Sequence, residues 1–148
     1  MGAESDPGSD LVATLSPVPE VECWQLLASS EVGRVGLLVR GRPEVLPVNY
    51  ILDGENVVFR SAEGTVLDQA ASTVVAFEVD RVDEATHASW SVLVQGVAED
   101  ISDAIDANSE RIRRLSLVTW APGTRHRWLR IQPDKVTGRR LRLIPTAL

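Results

Sequence analysis

What most constrains this chain is a series of short apolar segments of strand length, each cut off by a tight-turn signal. Val32–Val39 runs into Arg40-Gly41-Arg42-Pro43, residues 44–52 run into Asp53-Gly54-Glu55-Asn56, and Val57-Val58-Phe59-Arg60 runs into a Gly64-Thr65 turn. Residues 73–80 and 90–99 read as two further strands, and residues 128–131 and 139–144 as the last two, both short. Turns this tight join antiparallel neighbours, because a parallel pair needs a long crossover. Three helices fit between the strands. One starts at Pro19, with Glu20 and Glu22 favourable near its N-terminus and Val21, Trp24 and Leu27 or Leu26 on its buried face. A second covers residues 64–71, and a third starts at Ser102-Asp103, runs to about Leu117 and turns Ile105, Ile112 and Leu115 inward. The pattern predicts a mainly β (α+β) fold, a β-barrel with peripheral helices, rather than a parallel α/β sheet.

At 148 residues the chain matches one domain. Residues 1–16 are acidic, small and poor in large apolar groups, and read as a flexible N-terminal tail ahead of a domain spanning 17–148. No apolar run approaches the ~20 residues of a membrane span. The N-terminus has neither the basic start nor the apolar stretch of a secretory signal, so a cytoplasmic location is the expectation. Cys23 is the only cysteine, which excludes an internal disulfide and a cysteine-based zinc site, and it reads as a small apolar residue packed in a helix. His87 and His126 lie 39 residues apart with no carboxylate or thiolate cluster beside them, so no metal site is expected. Residues 1–110 carry 20 acidic and 5 basic side chains, whereas residues 111–148 carry 1 acidic and 10 basic. The C-terminal third therefore either lies against the acidic part of its own fold or faces an anion. Basic residues scattered over several elements of a net acidic chain make a poor footprint for nucleic acid, and none is expected as a partner. The glycine-rich phosphate loops, His-Glu-x-x-His and Gly-x-Ser-x-Gly are all missing, which removes the usual evidence for nucleotide hydrolases, Rossmann dehydrogenases, zincins and serine hydrolases.

The block from Pro47 to Thr65 holds the chemistry. A strand with Val48, Asn49 and Tyr50, a turn, and a return strand ending in Arg60-Ser61 lead without a gap into Gly64-Thr65. An arginine fork, hydroxyls and free N–H groups at a helix start suit a phosphate monoester. The same residues also suit a surface arginine beside an ordinary turn, and the two readings stay open on these residues alone.

This block, with Gly33-Arg34-Val35-Gly36, Val75-Ala76-Phe77-Glu78-Val79-Asp80 and the stretch from Trp90 to Glu99, resembles the pyridoxamine 5'-phosphate oxidase-like superfamily over roughly residues 17–145. The resemblance implies a six-stranded antiparallel split β-barrel that works as a homodimer, with FMN in a groove shared by two subunits. It implies that Val48, Asn49 and Tyr50 line the isoalloxazine, that Arg60, Ser61 and Thr65 reach the phosphate, and that Trp90 and Ser91 lie near the ring. Trp120, Arg125 and Trp128 resemble the late loop and strand that such proteins turn toward the cofactor. Many members carry lysine where this chain has Val66, and the arginine-histidine arrangement of the namesake oxidase is not found here. The implied role is a flavin-dependent oxidoreductase acting on a small molecule. The alternatives are non-catalytic binding, storage or sensing of a flavin, a deazaflavin coenzyme or haem, and a cofactor-free interaction dimer.

Overall fold

A computed structural model describes residues 11–146. In chain order the elements are β1 (Leu11–Val18), α1 (Glu20–Ala28), β2 (Val32–Val39), β3 (Arg42–Asp53), β4 (Asn56–Ser61), a 3-10 helix (Leu67–Ala70), β5 (Val74–Val82), β6 (Ser89–Asp100), α2 (Ala107–Arg113) and β7 (Arg127–Pro145). Strands β2, β3, β4, β7, β6 and β5 pair antiparallel in that order, and β5 returns to β2 to close the ring. The closing β2–β5 seam holds only three residue pairs, against twelve for β6–β7, so the barrel is tight along one side and split along the other. The expected six-stranded split barrel with peripheral helices is what forms.

Both hairpins follow from their turn residues. Arg40 and Gly41 have φ of 52° and 77°, and Gly54 has φ of 57°, the positive values that primed turns need to match strand twist. Alternation then sends Val35, Phe59, Phe77, Val92, Leu129 and Ile131 into the barrel, where each is fully buried. Each such side chain contributes roughly 1.5–3 kcal/mol.

Strand β7 departs from the two short strands expected. The ladder runs on through residues 132–138, between the two expected strands, with a bulge opposite Gln95 and Gly96. Pro133 has no N–H to lose at a bulge. Gly96 has no Cβ, and one built there would lie 2.2 Å from the Gln132 carbonyl oxygen. The tail is a second correction. Residues 11–16 belong to β1, which pairs with the C-terminal half of β7 from Leu11↔Pro145 to Val18↔Gly138, while residues 1–10 lie outside the described residues. Backbone pairing holds this strand although it buries only Val18, and composition does not report backbone pairing.

Helix α1 plugs one end of the barrel with Cys23 and Leu27, both fully buried; Val21, expected inside, is 74% exposed. Gly138 makes room for the plug, since a Cβ there would lie 2.6 Å from the Cys23 sulfur. Helix α2 starts later than expected because Asp106, not Ser102, caps it, accepting the Ser109 N–H at 2.9 Å. Ser102 instead turns back on Asp100 through its N–H and hydroxyl, and Ile105, left outside the helix, is 90% exposed. The basic C-terminal third does lie against acidic parts of the fold: Arg111 meets Asp53, Arg127 meets Glu63, Asp68 and Asp100, Arg130 meets Glu99, and Arg140 meets Glu22. Among the described residues no helix is long and apolar enough to cross a membrane.

The Tyr50 phenol joins barrel and plug. It donates to the Leu27 carbonyl, and its ring meets Phe77 edge-on at 4.9 Å. Burial pushes its pKa up to about 12. The neutral phenol therefore contributes stability that is fully present below the unfolded value of about 10 and is lost as pH rises through the folded one. Tyr50 is the only tyrosine, so phenolate absorbance reads it alone. The folded protein should titrate near pH 12; a phenol ionising near 10 in the folded state contradicts this placement. Tyr50→Phe should remove the alkaline step and cost about 1 kcal/mol at neutral pH, because the Leu27 carbonyl loses the phenol and keeps only the Ser30 N–H. Gly96→Ala should destabilise by several kcal/mol in a denaturant melt, since its clash is with backbone; a near-neutral result contradicts the bulge geometry.

Candidate functional site

Register decides which side chains reach the outer face of β3, β4 and β7. Tyr50, Phe59 and Leu129 align inward, so Asn49 and Ile51 on β3, Val58 and Arg60 on β4, and Trp128 and Arg130 on β7 point outward. On this face Val58, Ile101, Ile112, Leu117 and Trp128 form a second buried cluster, roofed by α2 and the segments beside it. Arg113 pins the roof by donating to the Ile101 and Ala104 carbonyls at 2.6 and 2.8 Å.

Residues 116–126 cross the exposed edge of this cluster and are tied down at two places. The Arg60 guanidinium, 4.9 Å over the Trp128 ring, donates to the Leu117 carbonyl at 3.3 Å and to the Arg125 carbonyl. The Asn49 side-chain oxygen accepts the Trp120 N–H at 2.8 Å. Arg60 Nε is buried and has no hydrogen-bond partner among the described residues. Two clefts flank these ties: one of 170 Å³ between Glu31, Asn49, Ile51, Leu117 and Trp120, and one of 60 Å³ between Pro47, Arg60, Leu67, Thr119 and Arg125. Trp120 stays 69% exposed beside the first. An amide, two guanidiniums and an open indole thus meet at one edge of the barrel, a donor and acceptor set suited to a planar polar ring with an anionic tail.

Within one chain the structure brings together Asn49, Arg60, Trp120, Arg125 and Trp128, with Val48 and Tyr50 bordering the same clefts. Val48 and Tyr50 face the barrel interior, at 7% and 4% exposure, so only their backbone reaches the outer face. Ser61 is fully buried with its hydroxyl unpartnered. Thr65 donates its hydroxyl to the Ala62 carbonyl at 2.7 Å and accepts the Asp68 N–H. Arg60, Ser61 and Thr65 therefore do not converge. The N–H groups at the turn are also committed, because Gly64 donates to the Asp68 carboxylate at 3.0 Å and Asp68 in turn meets Arg127. The turn carries its own anion. An acid four residues after Gly64 was the signal for this. Trp90 and Ser91 lie at the opposite end of β6, where Trp90 pairs with Arg140, roughly 40 Å of strand path from Trp128. Leu117 and Asp68 were not singled out as site residues, and only folding shows that they border it.

A family model described as pyridoxamine 5'-phosphate oxidase matches residues 19–140. The uncharacterized protein Rv0080 of Mycobacterium tuberculosis is 32% identical over 126 residues, covering 81% of each chain. Among solved structures, the FAD binding protein from Mycobacterium smegmatis is 35% identical with a TM-score of 0.73, covering 86% of this chain and 98% of that one. A FAD-binding protein from Mesorhizobium loti shares the fold at 22% identity and a TM-score of 0.70, over 88% of this chain and 98% of that one. The long bent β7, the three-pair seam and the outward-facing cleft are thus features of a split barrel whose sequence is matched over nearly all of the barrel, and this chain belongs to the pyridoxamine 5'-phosphate oxidase-like family.

Proposed function

We propose that this protein binds a flavin on the outer face of β3, β4 and β7, works as a homodimer, and acts as an oxidoreductase on a small molecule. The observation that carries this reading is the 35% identity to a protein named for FAD binding, nearly all of whose chain is covered. The resemblance implies FMN, and that relative brings FAD beside it. Both carry an isoalloxazine and a phosphate, so both make the same demands on the site.

The residues on this face fit those demands. Asn49 offers an amide to the polar edge of a flavin ring, the exposed Trp120 indole offers a face to pack on, and Arg60 and Arg125 offer guanidiniums to the phosphate. Ser61 and Thr65 have no part, since Ser61 is buried on the inner face of β4 and the Thr65 hydroxyl is held by the Ala62 carbonyl. When bound, a flavin supplies hydride or electron transfer, while the chain binds it, orients it and excludes water. Clefts of 170 and 60 Å³ are smaller than the about 300 Å³ at which ligand sites begin, so residues 116–126 lift or a second copy completes the groove. A second copy also answers the exposure of Leu11, Val12, Leu15 and Ile144 on the β1–β7 ribbon, between 46% and 62%.

Fluorescence titration with FMN, FAD and riboflavin tests the site. Arg60→Gln should weaken the two phosphate-bearing flavins about tenfold to a hundredfold while changing riboflavin far less. Thr65→Val should leave all three unchanged. Equal losses for riboflavin and FMN, or a loss confined to Thr65→Val, contradict the assignment. Sedimentation at micromolar concentration should show a dimer, and a monomer there contradicts the shared groove.

A further inference from the structure

The other end of β6 carries a cluster that the flavin reading does not use. Arg81, Trp90 and Arg140 sit side by side across β5, β6 and β7, and Arg142, two residues further along β7, faces the same way. These four side chains, with Ala88 and Leu141, surround a pocket of 270 Å³. One part of the Trp90 ring packs on the barrel core, which fixes the indole, and the residue remains only half-buried.

The charges around the pocket are unevenly satisfied. Arg140 is held by Glu22 at 2.6 Å. Asp83 also lines the pocket, but its Oδ1 accepts the Ala85 and Thr86 N–H groups at 2.9 and 3.1 Å. Arg81 and Arg142 form no ion pair among the described residues, whereas Arg111, Arg127, Arg130 and Arg140 do. Both guanidiniums line the pocket beside the indole, and a guanidinium fork matches phosphate or carboxylate oxygens.

We infer that this pocket binds a small aromatic anion, its ring packed against Trp90 and its phosphate or carboxylate held by Arg81 and Arg142. At 270 Å³ the space is of the size of a single ring with one charged group. The site is separate from the flavin face, so either reading stands without the other.

Phenyl phosphate is the probe, titrated into the full chain and followed through the four indole N–H signals in a nitrogen-15 correlation spectrum. Trp90→Phe identifies the Trp90 signal by its disappearance. The Trp90 signal should shift saturably in the wild type. Arg81→Gln and Arg142→Gln, both at exposed positions, should each weaken the titration about tenfold or more without moving the thermal midpoint. Inorganic phosphate and phenol should each bind at least about tenfold more weakly than phenyl phosphate, because each offers half of the recognition. The inference is overturned if phenyl phosphate produces no saturable shift at Trp90, if both arginine variants bind it as well as the wild type, or if inorganic phosphate matches it.

Discussion

The molecule depends on the pairing of β7 with β6. Twelve residue pairs join the two strands, and the opposite edge of β7 carries β4 near its start and β1 near its end. One strand of 19 residues therefore holds three partners, which is possible only if it bends. The bend comes from the bulge at Gly96, where the missing Cβ lets the Gln132 carbonyl approach. Both candidate sites are consequences of this strand. Its first residues present Trp128 to Arg60, and its last third presents Arg140 and Arg142 to Trp90.

Electrostatics then sorts the arginines. The acidic body and the basic C-terminal third meet as a set of ion pairs in which Arg127 touches three carboxylates and Arg130, nearly buried, touches Glu99. Exposed pairs of this kind contribute little each. Their larger effect is to commit Arg111, Arg127, Arg130 and Arg140 to carboxylates of the same chain. What remains is informative: Arg60, whose partners are carbonyls rather than carboxylates, and Arg81 and Arg142, which have no ion pair among the described residues. These three are among the cations without a carboxylate partner, and each stands beside an indole.

Much of the barrel was legible because its signals are local. The β2–β3 and β3–β4 hairpins follow from Gly41 and Gly54, and the inward face of every central strand follows from alternation. The failures have a common cause in contacts between residues far apart in sequence. Residues 11–16 look like a tail until Leu141 and its neighbours are available to pair with them. Residues 132–138 look like a gap between two strands until β6 lies opposite them. The phosphate cradle was expected from the order Arg60-Ser61-Gly64-Thr65, but alternation on β4 sends Arg60 and Ser61 to opposite faces, and Asp68 claims the N–H that an anion needs. The Asn49 and Arg60 pair was legible as residues. Its setting beneath Trp120 and Arg125 was not, because it rests on a loop whose anchors lie between 57 and 71 residues away.

The central claim is that a flavin engages the outer face beside residues 116–126 and not the turn at Gly64 and Thr65. Hydrogen exchange of the full chain, with and without saturating FAD, tests it directly. The account predicts that exchange changes at the amides of residues 116–126, with the Trp120 N–H foremost, and at residues 47–50, while the Gly64 amide, held by Asp68, keeps its protection. A change confined to residues 61–68, with residues 116–126 unaffected, contradicts it.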